Sequence, residues 1–444
     1  MSGAPQRVST ATAVVVALAA LLGTGLYAAF APAAAAAGPW LPLAVVLAGV
    51  VALCNVSSIA DLTAARPGGG GLVPTDLPPA AGRLAGVARL VARGAAAAAA
   101  AGVFGAYVLP SRPVPVAIVA VLVVIGLNVA GARISVNACR GLVAAAVGVV
   151  LLVMIVGASG SGAAGPSAAL ETAAAAGTPA ELPVGTLQAA VPGSAFGVLT
   201  AAAFAFFAFA GTSRVAELGG SLRDPLRTVR RASTIAVLIA GAIFLAVSGA
   251  LLNGLGADRL ASSPTPLASL IDAGGSPALG VLVRVGAAVA TGSALLAVLS
   301  RASENAARMA RAGALPRMLA RTGSRGTPWV SDLVGGLLVV LVTLLVGPVT
   351  ALAISACAVL VHYALLHVAA LRLPGRSRRT LAVAIVGGLL CLVLAVSLPT
   401  WALTSTAVLL VGGWLLSTLL VRTSGARRDG DEQPHSGEDG EQAA

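Results

Sequence analysis

Two apolar stretches of this chain carry glycines near their middle. These glycines and their neighbours are Gly23, Thr24 and Gly25 in the first stretch and Phe207, Ala210 and Gly211 in the second. Glycine weakens a helix interior and lets the backbone adopt conformations that other residues resist. An interrupted helix exposes amides that attract a carboxylate and carbonyls that can accept from an ammonium group. The two stretches therefore predict a site for a zwitterion, and close helix packing through small residues is the alternative.

Charged residues follow the glycine of the second stretch. Ser213 and Arg214 come directly after it, and Glu217 lies three residues beyond Arg214, so that the two charges can share one helix face. An unpaired charge inside a membrane costs a few kcal/mol or more. One interpretation is a self-contained Arg214–Glu217 ion pair near the end of the segment. The other is a gate, or a pairing of Arg214 with Asp61 at the end of an earlier apolar stretch.

Other residues whose side chains could bind a metal or act in catalysis have simpler explanations. His362 and His367 are five residues apart, which separates them by about 140° around a helix, so they do not form one metal-binding face. We predict that both pack within the protein. Ser159 stands in a Gly-Ala-Ser-Gly sequence similar to that around a serine nucleophile, but the surrounding Ser/Gly composition is typical of a linker. No phosphate-binding, zinc-protease or dinucleotide motif occurs, so we expect no enzyme activity, cofactor or metal.

The composition defines the elements that must position these residues. Hydrophobic types make up 58% of the 444 residues and charged types 10%, and the mean hydropathy is +0.96. An ordinary soluble domain carries about 25% charged residues, so a soluble multidomain enzyme and a disordered chain are both excluded. The apolar blocks are roughly 20 residues long, as a membrane-spanning helix requires. The twelve predicted spans are 11–31, 41–63, 86–109, 114–131, 138–158, 192–218, 231–252, 278–300, 330–346, 349–371, 380–397 and 402–421.

The charge distribution indicates an orientation in the membrane. The net charge is +12 and all 28 basic residues are arginine, of which 24 fall on the side of the bilayer that carries both termini. This asymmetry predicts cytoplasmic termini and makes nucleic-acid binding an unnecessary explanation of the charge. The four cysteines stand singly in or beside apolar blocks, which is typical of small buried residues.

Five segments resemble the amino acid–polyamine–organocation superfamily of permeases, over roughly residues 12–375. They are LLGTGLY in span one, SSIADLTAARPGGGG at the end of span two, GLNVAGARIS in span four, FFAFAGTSRVAELGGSLRDPLRTVRRA from span six, and ARMARAGALPRMLA after span eight. The resemblance implies an all-helical, leucine-transporter-like fold with a 5+5 inverted repeat plus two helices. Spans one and six then occupy matching places in the two repeats.

The predicted spans, the charge distribution, the composition of the tail and the resemblance together divide the chain into parts. They are a cytoplasmic N-terminus (1–10), a first repeat (11–158), an extracytoplasmic loop (159–191), a second repeat (192–371), two further spans (372–421) and a disordered cytoplasmic tail (422–444).

By matched position, the resemblance implies roles for several residues. The segment 23–25 would meet the α-carboxylate of an amino acid. Phe207, Ala210 and Gly211 would form the opposite wall, with Phe207 at the place of the family's occluding aromatic residue. Tyr107 in span three is a further candidate that no motif anchors.

The chain also departs from the family pattern. Ser213 replaces an acidic residue found in some members, and Glu304 stands where arginine is common. Ala145, Ala146 and Val147 occupy the place of a lysine of some proton-coupled relatives. The coupling mechanism of those relatives therefore does not transfer to this chain. Transport coupled to a proton, transport coupled to a sodium ion and simple exchange are the alternatives.

These features favour a secondary active transporter of amino acids in the plasma membrane, working by alternating access around spans one and six. The apolar pocket suits neutral, hydrophobic side chains, and the LLGTG and VGGLL segments resemble bacterial exporters of methionine and branched-chain amino acids. A transport-inactive sensor or scaffold is the alternative, supported by the unusual Ser213–Arg214 pair. A membrane-embedded enzyme would depend on Ser159 alone.

The arginine asymmetry generates a test of orientation. In otherwise cysteine-free protein, Ser167→Cys should react with a membrane-impermeant thiol reagent in intact cells, because residue 167 lies in the predicted outer loop. Ser436→Cys should react only after the cells are opened. Labelling of Ser436→Cys in intact cells would show that the orientation is wrong.

Overall fold

The computed structural model describes residues 9–66, 77–158, 194–222, 224–375 and 377–431, and their regular structure is helical. The α-helices are α1 (Thr10–Leu21), α2 (Thr24–Ala28), α3 (Phe30–Ala37), α4 (Leu41–Ala65), α5 (Pro79–Val108), α6 (Pro113–Val129), α7 (Val136–Ala158), α8 (Ala195–Phe209), α9 (Pro225–Ser262), α10 (Pro266–Ala273), α11 (Pro277–Arg311), α12 (Trp329–Leu345), α13 (Pro348–Leu371), α14 (Arg378–Val396) and α15 (Thr400–Asp431).

The helix lengths confirm a polytopic membrane protein. Ten helical segments of the described residues are long and apolar enough to cross a bilayer, and the shorter apolar helices α6 and α12 supply two more candidates. Every predicted span therefore corresponds to a helical segment. The largest differences in length are at α9, α11 and α15, which extend beyond the predicted spans. The backbone at Gly256 is not helical, so the last residues of α9 follow a kink. At α11, growth past the apolar block adds a hydrogen bond for each residue ordered and needs no new nucleation.

Both glycine-containing segments are interrupted, as the sequence predicts. In the first, α1 ends at Leu21 and a new helix begins at Thr24. In the second, the α-helix ends at Phe209 and continues as 3-10 turns over Ala210–Arg214 and Ala216–Ser221. The predicted span 192–218 is therefore α-helical only in its first part.

The last helix of the described residues extends past residue 422, where the predicted tail begins. Helix α15 continues to Asp431. Residues 432–444, the predicted outer loop at 159–191 with Ser159, and the first eight residues lie outside the described residues.

The helices form a core of small side chains. Helix α5 packs against α13, α11 and α6, and α4 packs against α9 and α8. The run Ala97–Ala101 within α5 is buried almost completely, which allows close approach of neighbouring helices. Leucine and valine side chains on α12, α14 and α15 point outward, with Leu345 74% and Val408 70% exposed. In a membrane protein such side chains meet lipid.

The turn between α5 and α6 depends on a glycine. A Cβ atom at Gly105 would lie 2.1 Å from the carbonyl oxygen of Pro113, which is backbone and cannot rotate away. Gly94, on the same helix, has no atom within 4 Å of such a Cβ. Only the first of these two sites requires glycine for packing.

We expect Gly105→Ala to lower the folded yield and the melting temperature of the purified protein, because α6 must shift to admit the methyl group. Gly94→Ala is the matched control and should raise stability by up to about 1 kcal/mol through helix propensity. Fluorescence-detected size-exclusion and thermal melting measure both. Equal yields and melting temperatures for the two variants would refute the close contact between Gly105 and Pro113.

Candidate functional site

A cavity of about 120 Å³ lies between the two interrupted segments and helices α5, α11 and α13. Its lining has two parts. The apolar part consists of Ala20, Ala92, Ala96, Phe207, Ala208, Ala294, Val298 and Val359. The polar part includes Arg89, Arg93, Ser213, Arg214, Glu217, Arg301, Ser355, His362 and Tyr363. The cavity thus offers both apolar and charged groups to a ligand.

The structure brings most of the predicted site residues to this cavity. The predicted residues that line it are Thr24, Gly25, Phe207, Ala210, Gly211, Ser213, Arg214 and Glu217. Gly23 caps the start of α2 without belonging to the lining. The amides of Thr24 and Gly25 have no acceptor within α2, because the first amides of any helix lack one.

Tyr107 and Asp61 lie elsewhere. Tyr107 is fully buried and packs edge to face on Tyr27, with ring centroids 5.6 Å apart. It follows Ala96, the last cavity residue on α5, by eleven positions, or roughly 16 Å of helix. Asp61 forms an ion pair with Arg230, their nearest atoms being 3.2 Å apart. Neither residue reaches the cavity.

The three aromatic residues at the end of α8 point in different directions. Phe207 contributes to the cavity wall. Phe206 packs edge to face on Tyr363 at 5.8 Å between ring centroids, and Phe209 packs on Phe244 at 5.2 Å. Only Phe207 is therefore placed to contact a ligand.

The glycines of the two segments are also packing residues. A Cβ at Gly25 would lie 2.3 Å from Cα of Ala208, and a Cβ at Gly211 would lie 2.9 Å from the carbonyl oxygen of Ala20. Each glycine thus lets one interrupted segment touch the backbone of the other. The two explanations that the sequence leaves open, cavity lining and close packing, apply to the same residues.

Tyr363 on α13 is a cavity residue that sequence reasoning missed. Its hydroxyl donates to the carbonyl oxygen of Ala210 at 3.0 Å and lies 3.3 Å from Oγ1 of Thr212. It therefore satisfies a carbonyl released by the break after α8. A lone tyrosine in the middle of an apolar span was the available signal, since a buried phenol needs a partner.

The two histidines of α13 have separate environments. His362 lines the cavity, and its Nδ1 donates to the carbonyl oxygen of Ala85 at 3.0 Å. His367 lies away from the cavity, between Oγ of Ser58 at 2.8 Å and Oδ1 of Asn55 at 2.7 Å. The hydrogen bonds of His367 agree with the predicted packing role.

Glu217 is the centre of a buried ion cluster. Nη1 of Arg214 lies 3.0 Å from Oε2 of Glu217, which confirms the pairing within the segment. The pair is not self-contained, however. Nη2 of Arg89 lies 2.8 Å from Oε1, Nη2 of Arg93 contacts the same oxygen, and Nε of Arg301 lies 3.8 Å from Oε2. Residues brought from α5 and α11 thus share one carboxylate, which no local pattern could reveal.

We expect Glu217→Gln to destabilise the protein strongly. Removing one partner of a buried ion pair costs about 3–5 kcal/mol, because the remaining charge stays desolvated. Glu304→Gln is the matched control: its carboxylate is 35% exposed and its nearest pairing distance, to Arg133, is 3.6 Å, so the loss should stay below about 1 kcal/mol. Melting temperatures in detergent compare them, and equal shifts would contradict the central role of Glu217.

Comparison with known proteins agrees with this architecture. The amino acid permease family matches residues 12–423. Three proteins, each described as an uncharacterized transporter, are 38% identical to this chain over 397 residues; one is from Mycobacterium bovis and two are from strains of Mycobacterium tuberculosis. The alignment covers 88% of this chain and 86% of each relative. The chain therefore belongs to the amino acid permease family, whose members are multi-pass membrane transporters and not enzymes.

Proposed function

We propose that the protein carries neutral, hydrophobic amino acids across the plasma membrane as a secondary active transporter. The carrier alternates access around the break between α1 and α2 and the break after α8. The single observation that supports this most is that both breaks border one cavity with an apolar wall. The direction of net movement follows the gradients of the substrate and of any coupled ion, whether a proton or sodium.

The carboxylate of the substrate binds at the start of α2 in this proposal. The amides of Thr24 and Gly25 begin that helix, and the positive end of the peptide dipoles favours a negative group there. Gly25 leaves no side chain between the backbone and the ligand. The ammonium group lies toward the 3-10 turn at Ala210–Arg214, which directly follows the break.

The substrate side chain lies against Phe207 and the small residues around it. Ala294, Val298 and Val359 offer no charge to a substrate side chain, so an apolar one loses little by leaving water. This preference agrees with the resemblance of the LLGTG and VGGLL segments to exporters of methionine and branched-chain amino acids. Phe207 covers the site when a substrate is bound.

We expect Phe207→Ala to weaken substrate binding by roughly tenfold or more, since burial of an aromatic side chain is worth about 1.5–3 kcal/mol. Counterflow in proteoliposomes, with a panel of labelled amino acids, identifies the substrate, and concentration dependence then gives the affinity of each variant.

Phe196→Ala is the matched control for Phe207→Ala, because Phe196 is on the same helix but 53% exposed at its surface. It should leave the affinity unchanged. Unchanged affinity of folded Phe207→Ala would exclude Phe207 from the site. Counterflow of charged amino acids alone would reject the proposed substrate class.

A further inference from the structure

A second cavity, of about 310 Å³, adjoins the first and is bordered by arginine. The two cavities share Glu217 and the four arginines that contact it. The six arginines of the second cavity are Arg89, Arg93, Arg133, Arg214, Arg301 and Arg308. No feature of the substrate site proposed above uses this space.

The charge of the second cavity is strongly unbalanced. Its acidic lining residues, among the described residues, are Glu217 and Glu304. Glu217 is shared by four guanidinium groups, and Glu304 lies 3.6 Å from Arg133. Six positive and two negative side chains therefore surround one space. Like charges at such distances repel, more strongly where protein replaces water, and an added anion relieves that repulsion.

We propose that this cavity is a binding site for a small anion that carries a carboxylate or an oxyanion group. Guanidinium groups present planar pairs of N–H donors that match such oxygens, often two at a time. Arg89 and Arg93 are already withdrawn from water, at 7% and 13% exposed, so an anion finds two donors that need little further ordering. Arg133 and Arg308 are exposed and supply donors from the solvent side. The volume admits an ion the size of phosphate or a short dicarboxylate.

The position of the second cavity allows a bound anion to affect the transport cycle. The ion cluster around Glu217 lines both cavities and joins the segment after α8 to α5 and α11. An anion bound to the same arginines competes with Glu217 for them. Binding therefore changes the balance of contacts that hold these three elements together.

The shared chemistry has two possible sources. One is a free anion from solution. The other is the side-chain carboxylate of an acidic amino acid that is bound in the substrate cavity and extends into the second cavity. Glutarate separates them, because it has the two carboxylates of glutamate and lacks the amine. Inorganic phosphate tests the oxyanion without any carboxylate.

The test is thermal stabilisation of the purified full chain in neutral detergent, at constant ionic strength made up with sodium methanesulfonate. Phosphate or glutarate should raise the melting temperature with a saturable concentration dependence, since a ligand that binds the folded state stabilises it. Stabilisation by glutamate but by neither of these would assign the site to a substrate side chain. Failure of all three would overturn the proposal.

Arg308→Gln locates the site without touching the contacts of Glu217. It should weaken anion binding by about tenfold, the scale of one charge-assisted hydrogen bond. Arg317→Gln, an exposed arginine nine residues further on and outside the cavity, is the matched control and should bind like the parent. Arg133→Gln is the second variant should Arg308→Gln not fold.

The result distinguishes the anion site from the substrate site. Stabilisation by apolar amino acids should be unaffected in Arg308→Gln, so a failure of the proposed function leaves the anion result standing. Anion binding equal to that of the parent in folded Arg308→Gln and Arg133→Gln would overturn the assignment to this cavity.

Discussion

The close approach of the two interrupted segments is the contact on which this architecture depends. Gly25 meets the backbone of Ala208, and Gly211 meets the backbone of Ala20. A bilayer offers no water to the backbone groups that an interruption releases, so irregular backbone must be covered by protein or line a cavity. The two segments achieve this by lying against each other, with Tyr363 satisfying the carbonyl of Ala210. The cavity lies where the two helical segments are interrupted and contact each other.

The ion cluster at Glu217 sets a second constraint. Charges withdrawn from water are tolerable only when paired and hydrogen-bonded. One carboxylate therefore holds together arginines from α5, α11 and the 3-10 turn after α8. A movement of the turn relative to the two helices must exchange some of these contacts. The cluster lies directly beside the cavity, so events in the cavity and the positions of these elements are physically linked.

The residues around the cavity match the chemistry expected for the family only in part. The apolar wall and the interrupted helices match the expectation for an amino acid carrier, whereas six arginines line the adjoining cavity. Arg214 pairs with Glu217 three residues further on, and the same carboxylate also contacts arginines from distant parts of the chain. The ion cluster explains why Arg214 occurs in this segment, so the residue does not require the protein to be inactive in transport.

The sequence by itself determined the class of the protein, the number of spans and the places where two helices break. Those properties follow from local physics: a run of apolar residues long enough for a bilayer, and glycines that weaken a helix. The tertiary structure alone decided which candidates share a cavity. It excluded Tyr107, which lies too far along α5, brought in Tyr363 and His362 from α13, and joined Arg89, Arg93 and Arg301 to Glu217. Such contacts join residues more than 80 positions apart, and only the packing of whole helices sets their distances.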